Sequence, residues 1–206
     1  VSTFFSPSRH HQSEFYETYS DSSGFTVRVA RQEDLADLVE ILASSFHPQK
    51  DVMRWLFPLI RMGIYEDLRQ RLRSPISSDH VCLVAVTSSP NCFSHVVGTV
   101  EVALRANYPF QIHSSYYPYL SNLAVHLEYR RQGIAQRLLG ACEQWVANRG
   151  ASAIHLHVLE DNYDAKQLYF KTGYQLQGSD SFWCRWFLKQ PRRLLLHKQL
   201  SLEVAS

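Results

Sequence analysis

No uninterrupted run of apolar residues approaches the roughly 20 that a membrane-spanning helix needs, which predicts a soluble protein. Charge of one sign is also lacking: 21 Lys and Arg face 19 Asp and Glu, a formal net charge of +2. Such a balance excludes the strongly basic field with which a protein holds nucleic acid non-specifically. Cysteine is sparse. Cys82, Cys92, Cys142 and Cys184 stand far apart with no Cys-x-x-Cys spacing, which argues against a zinc knuckle or a dense disulfide scaffold and fits a reducing compartment. The ten histidines are scattered and have no carboxylate or cysteine at a ligand spacing, so a metal-dependent hydrolase is not expected. Residues 1–24 contain no apolar segment of a secretory signal, and the chain shows no internal repeat.

What the sequence does have is the material for one substantial core: 206 residues, 45% hydrophobic and 13% aromatic. Residues 1–24, which end in a serine-rich stretch at Gly24, read as an arm, and residues 25–206 as the domain. FTVRVA, from Phe25 to Ala30, alternates as a strand and leads into a helix with apolar positions at Leu35, Leu38, Ile41 and Leu42. Residues 51–73 have helical spacing, with Pro58 and Gly63 predicting one interrupted helix or two short ones. Val81–Thr87 and Val96–Leu104 read as a hairpin, and an aromatic loop follows from Tyr108 to Pro118. A strand from Tyr119 to Val125, a helix from Gly133 to Asn148 and a strand from Ala153 to Val158 form a β-α-β crossover that should pair the two strands in parallel. A short helix from Tyr163 to Lys171 stops at Gly173, and two closing strands flank Pro191.

The chemistry concentrates where the Tyr119 strand enters its helix through Arg130-Arg131-Gln132-Gly133-Ile134-Ala135-Gln136. A helix start leaves main-chain N–H groups without intrahelical acceptors, and the positive end of the helix dipole favours an anion there. Gly133 and Ala135 leave room for a diphosphate to approach the backbone. About thirty residues later comes Asn162-Tyr163-Asp164-Ala165-Lys166-Gln167-Leu168-Tyr169-Phe170-Lys171-Thr172-Gly173-Tyr174. Together the two segments resemble the GCN5-related N-acetyltransferases (GNAT), whose pattern is Arg/Gln-x-x-Gly-x-Gly/Ala and then Asn-x-x-Ala-x-x-Leu-Tyr-x-Lys-x-Gly-Tyr/Phe. The resemblance spans residues 25–200 and is strongest from Tyr119 to Tyr174.

The resemblance implies an α/β GNAT fold: a mixed central sheet of six to seven strands with splayed central strands, flanked by about four helices. It implies acetyl-coenzyme A as donor, with the pantetheine arm against the main chain of Leu123, Ala124 and Val125, and the diphosphate on the turn from Arg130 to Gln136. Asn162 would hydrogen-bond the donor or cap its helix. Tyr169 matches the family tyrosine near the coenzyme sulfur. A phenol of pKa about 10 can serve a departing thiolate of pKa about 8.5 without being consumed at neutral pH. His157 and Tyr119 match a base and its tyrosine partner, working through ordered water, in some protein N-terminal acetyltransferases. Glu101 and Glu128 are reserve bases, and His155 shares the face of His157 by strand alternation.

The acceptor is less legible. MRWLFPLIRMGIYEDLRQRL and QPRRLLLHKQL are similar to the plastid and cyanobacterial branch of the family, which implies protein N-termini, and lysines in several cases, as acceptors in a bacterial cytoplasm or plastid stroma. The Phe-Pro-x-x-Tyr of dedicated N-terminal enzymes is not matched cleanly; Phe46-His47-Pro48 and Phe57-Pro58 stand there. An α-amine of pKa about 8 is easier to deprotonate than a lysine at about 10.4, by roughly 3 kcal/mol. Tyr108, Phe110, Tyr116, Tyr117 and Tyr119 could line a groove for a peptide or close over a small aromatic amine. Three readings therefore stand: protein N-acetyltransferase, small-amine N-acetyltransferase (arylalkylamine, polyamine or antibiotic), and acyl-coenzyme A-binding regulatory module. Cys142 in mid-helix makes a poor nucleophile, which favours direct attack over an acyl-enzyme. Either a monomer or a homodimer fits.

Overall fold

A computed structural model describes residues 19–20, 24–45, 57–73, 79–87, 95–106, 116–179 and 192–200. Among these are eight strands, β1 (Tyr19–Ser20), β2 (Phe25–Val29), β3 (His80–Thr87), β4 (Val96–Ala106), β5 (Tyr116–Val125), β6 (Ala153–Leu159), β7 (Gln175–Ser179) and β8 (Arg193–Gln199). The four α-helices are α1 (Leu35–Ser45), α2 (Phe57–Leu72), α3 (Ile134–Ala147) and α4 (Tyr163–Lys171). The chain forms two compact units, residues 1–100 with 122–138, and residues 101–121 with 139–206. The strands β4 and β5 and the helix α3 each give one half to either unit.

In the first unit the strands follow the order β1-β2-β3-β4-β5. β1 is the strand beyond the expected six or seven; it lies within the expected arm and pairs antiparallel with β2, Tyr19 opposite Val27. β3, HVCLVAVT, is buried at six consecutive positions, as a central strand covered on both faces should be. β2 enters α1 through a 3-10 turn at Gln32–Asp34. Asp34 fixes that turn: its carboxylate takes two bonds from the Arg28 guanidinium, 2.6 and 2.7 Å, and one of 2.7 Å from the Arg31 N–H. Bonding to Asp34 also raises the pKa of Arg28, burial opposing it.

α1 buries Leu38, Ile41 and Leu42, and α2 packs on it with Leu68 and Leu72, forming one cluster with Cys82, Val84 and Val86 of β3. α2 runs unbroken through Gly63, and Pro58 is its second residue, where a missing N–H costs nothing. The expected helical residues 51–56 and the Phe46-His47-Pro48 segment lie outside the described residues.

In the second unit the order is β4-β5-β6-β8-β7. β5 and β6 pair in parallel, as the crossover requires, and the register comprises Tyr119 with His155 and Leu120 with Leu156. β6 then runs on to Leu159 with seven residues paired antiparallel to β8. Ile154, Leu156 and Val158 of β6 are buried with Leu139, Cys142 and Val146 of α3 and Leu196 of β8. The opposite face of β6, with His155 and His157, is half-buried. β5 starts earlier than its sequence suggests: Tyr116, Tyr117 and Pro118, expected in the aromatic loop, are strand. Two aromatic residues favour extended backbone and outweigh the proline. Tyr108 and Phe110 lie outside the described residues, as do Cys92 and Cys184. Among the described residues no helix is long and apolar enough to cross a membrane.

Candidate active site

The first unit supplies a turn of main-chain donors. Arg131 (φ 63°) and Gly133 (φ 80°) are both left-handed, which reverses the chain between a 3-10 turn at Leu127–Tyr129 and α3. A side chain at position 133 would meet no atom within 4 Å, so conformation, not crowding, demands the glycine, and the space over it is open. The Arg137 N–H bonds the Gly133 carbonyl at 3.2 Å; the N–H groups of Ile134, Ala135 and Gln136 precede that bond and have no acceptor within the helix. The Ile134 side chain is buried in the core, whereas Gln132 and Gln136 are exposed. Gly98 lets the helix sit this close to the sheet: a Cβ there would lie 3.1 Å from Leu138 Cδ1 and 3.2 Å from both the Ala124 carbonyl and Ile134 Cγ2.

Leu123, Ala124 and Val125 end β5 immediately before this turn, with Ala124 buried and its neighbours half-buried. Arg130 Nε donates to the Val125 carbonyl at 3.2 Å, so this arginine braces the strand end as well as flanking the turn. Asn122, just upstream, has a φ of 54°, a kink that the sequence reading missed. A polar residue tolerant of left-handed backbone inside LSNLAV was its only signal.

The second unit gathers the expected chemical groups. Tyr119 is buried, and its hydroxyl lies 3.0 Å from His157 Nδ1, with ring centroids 5.7 Å apart. The two groups are therefore in direct hydrogen-bond contact. Arg105, from the end of β4, stacks its guanidinium carbon 3.5 Å from the centroid of the Tyr119 ring. Sequence reasoning passed over Arg105, because only the side-by-side placement of β4 and β5 brings it to Tyr119.

Tyr169 is buried on α4, its ring edge-on to Tyr174 at 5.6 Å. Burial, reinforced by Tyr119, raises its pKa well above that of a free phenol, so it holds its proton throughout the neutral range. His155 stacks on His197 at 6.1 Å; burial lowers its pKa, a bond to the Pro118 carbonyl opposes this, and His197 lowers it further. The net lowering makes His155 a weaker base than a free imidazole.

Asn162 caps α4, its Oδ1 accepting the Ala165 N–H at 3.1 Å, and its amide group remains at the exposed surface. Glu128 is exposed on the 3-10 turn, Glu160 is exposed at the exit of β6, and Glu101 is almost wholly buried in β4 at 1% exposure. Cys142 is fully buried in α3.

A strand, a left-handed glycine turn and a helix start follow one another in the first unit, and the comparisons with known proteins identify the class of protein. The profile of the acetyltransferase (GNAT) family matches residues 35–174, and the chain belongs to that family. GCN5-related N-acetyltransferase 10, chloroplastic, of Arabidopsis thaliana is 28% identical over 194 residues, covering 86% of this chain and 73% of the relative. Among solved structures, PaiA N-acetyltransferase from Thermoplasma acidophilum with coenzyme A superposes with a TM-score of 0.64 at 18% identity, over 85% of this chain and 98% of that one. Arabidopsis thaliana NAA60 with a bisubstrate analogue gives 0.63 at 18% identity, over 86% and 99%. At these identities the two structures attest the fold, and the family match makes the chain an acyltransferase that uses acetyl-coenzyme A. The open space over Gly133 and the N–H groups at the start of α3, which have no acceptor within the helix, suit the diphosphate of that donor.

Proposed function

We propose that this acetyltransferase acts on protein N-terminal α-amines, with lysine side chains as slower acceptors, by direct attack in a ternary complex. The observation that carries this reading is the 3.0 Å contact between Tyr119 Oη and His157 Nδ1. An ammonium group has no lone pair for attack, and a tyrosine-histidine pair at the end of a two-residue parallel ladder can take its proton. The donor supplies an activated thioester. The main chain at Leu123–Val125 and at the start of α3 holds it, with the diphosphate on residues 130–136 and Asn162 offering its free amide group. A main-chain N–H of this strand end stabilises the oxyanion formed on attack.

Tyr169 donates a hydrogen bond to the leaving sulfur. Its raised pKa puts full proton transfer to a thiolate of pKa about 8.5 further uphill, so it stabilises the developing charge and retains its proton. The fully buried Cys142 is unsuited to a covalent acyl-enzyme. An α-amine gives up its proton more readily than lysine by roughly 3 kcal/mol, which sets the proposed order of acceptors. The plastid stroma is the proposed site of action, supported by an Arabidopsis relative whose name is chloroplastic.

The test is mass spectrometry of peptides incubated with the protein and acetyl-coenzyme A, resolving α- from ε-acetylation, beside a panel of small amines. Faster α-acetylation is expected. Turnover confined to small amines would replace the reading with the small-amine one, and binding of acetyl-coenzyme A without any turnover would replace it with a regulatory module.

A further inference from the structure

We infer that Arg105 selects the acceptor by charge, favouring an α-amine followed by acidic side chains and disfavouring polycationic amines. This rests on the reading of Tyr119 and His157 given above. The Arg105 guanidinium carbon stands 3.5 Å from the Tyr119 ring centroid, and the hydroxyl of that same ring holds His157. A permanent cation is thus fixed one ring away from the group assigned to take the substrate proton. Tyr119 is buried and Arg105 is exposed, so the charge is presented to solvent and to any acceptor that reaches the ring.

The surrounding strands offer little to offset it. β5, β6, β7 and β8 contain no aspartate or glutamate. The one carboxylate of β4, Glu101, is 1% exposed. On the face of β6 that carries His157, the register sets His155 opposite His197, so the neighbours there are imidazoles, and the nearest exposed carboxylate along β6 is Glu160, past its end. A polyamine arriving here loses hydration from several ammonium groups and meets the Arg105 cation in exchange. A peptide whose α-amine is followed by Asp or Glu brings the complementary charge, and Arg105, through its planar guanidinium, can both stack on Tyr119 and bond a carboxylate.

The test compares kcat/KM of the full chain for three acceptors: a peptide with Asp at its second and third positions, the same peptide with Lys there, and spermidine. The native protein should favour the acidic peptide over the basic one by about fivefold, and more at low salt. Arg105→Gln should bring the ratio towards one, Arg105→Glu should invert it, and Arg105→Lys should preserve its sign. Each ratio is taken within one variant, so a general loss from a poorly supported Tyr119 or a less stable fold cancels. An acidic-to-basic ratio equal in the native protein and Arg105→Glu would overturn the charge selection while leaving peptide acetylation standing. Spermidine turnover with no peptide turnover would instead remove the proposed function, and this inference with it.

Discussion

Tyr119 is in register with His155 on the neighbouring parallel strand, yet its hydroxyl bonds His157, one alternation further along the same face. The phenol is long enough to lean along the strand direction, which leaves His155 to the Pro118 carbonyl and joins the tyrosine to the histidine nearer the end of β6. The two histidines of β6 thereby have different surroundings, His157 the Tyr119 hydroxyl and His155 the rings of Tyr117 and His197.

If that pair removes the amine proton, His157→Asn should lower kcat/KM by about 10²- to 10⁴-fold, in the range usual for general acid-base groups. Tyr119→Phe should cost less, because the imidazole remains. The double variant should fall well short of the product of the two single losses, since the residues act as a unit. Steady-state kinetics on an N-terminal peptide provide the check, and strictly multiplicative losses would separate the two roles.

Tyr169 stays protonated because burial raises its pKa. Tyr169→Phe should therefore lower kcat by about 10- to 100-fold while changing donor affinity less than about twofold, as befits an interaction made in the transition state. Presteady-state turnover paired with calorimetric binding of coenzyme A separates the two quantities, and an unchanged kcat would remove Tyr169 from the reaction.

The depressed pKa of His155 carries a stability consequence with a definite sign. The unfolded chain binds a proton at this residue near pH 6.5, whereas the folded chain resists it to lower pH. The contribution is complete above about pH 6.5 and is lost as pH falls through the folded value. Thermal midpoints measured from pH 7.5 to 5 should decline, and the decline should be shallower in His155→Gln. Tyr169 and Tyr174, both shifted upward by burial, act at the other end: their contribution persists up to about pH 10 and erodes above it as the unfolded phenols ionise.

Two glycines of the first unit should fail in different ways. Gly133→Ala places a side chain at φ 80° with open space around it, so about 1 kcal/mol of backbone strain is expected together with a raised KM for acetyl-coenzyme A. Gly98→Val crowds Leu138, Ile134 and the Ala124 carbonyl and should cost about 1–3 kcal/mol of stability, measured by denaturant unfolding.

The parts that were legible in the sequence are those governed by local rules. Strand, turn and helix around Gly133 follow from periodicity and a glycine that the backbone requires, and α4 runs from Tyr163 to Lys171 because Asn162 caps one end and Gly173 (φ 92°) stops the other. Where two local rules competed, the reading slipped: Pro118 suggested a loop, and the aromatic residues around it form the start of β5. Arg105 could not be found from spacing, because its ring contact joins residues of different strands. The direct bond from Tyr119 to His157 depends likewise on side-chain lean, which residue type and alternation leave open.

The account stands most directly on where the donor lies, which a crystal structure of the protein with coenzyme A measures. It predicts the diphosphate on the main-chain N–H groups between Gln132 and Gln136, with the sulfur beside Tyr169. A diphosphate seated elsewhere, with those N–H groups bonded within the protein, would contradict it.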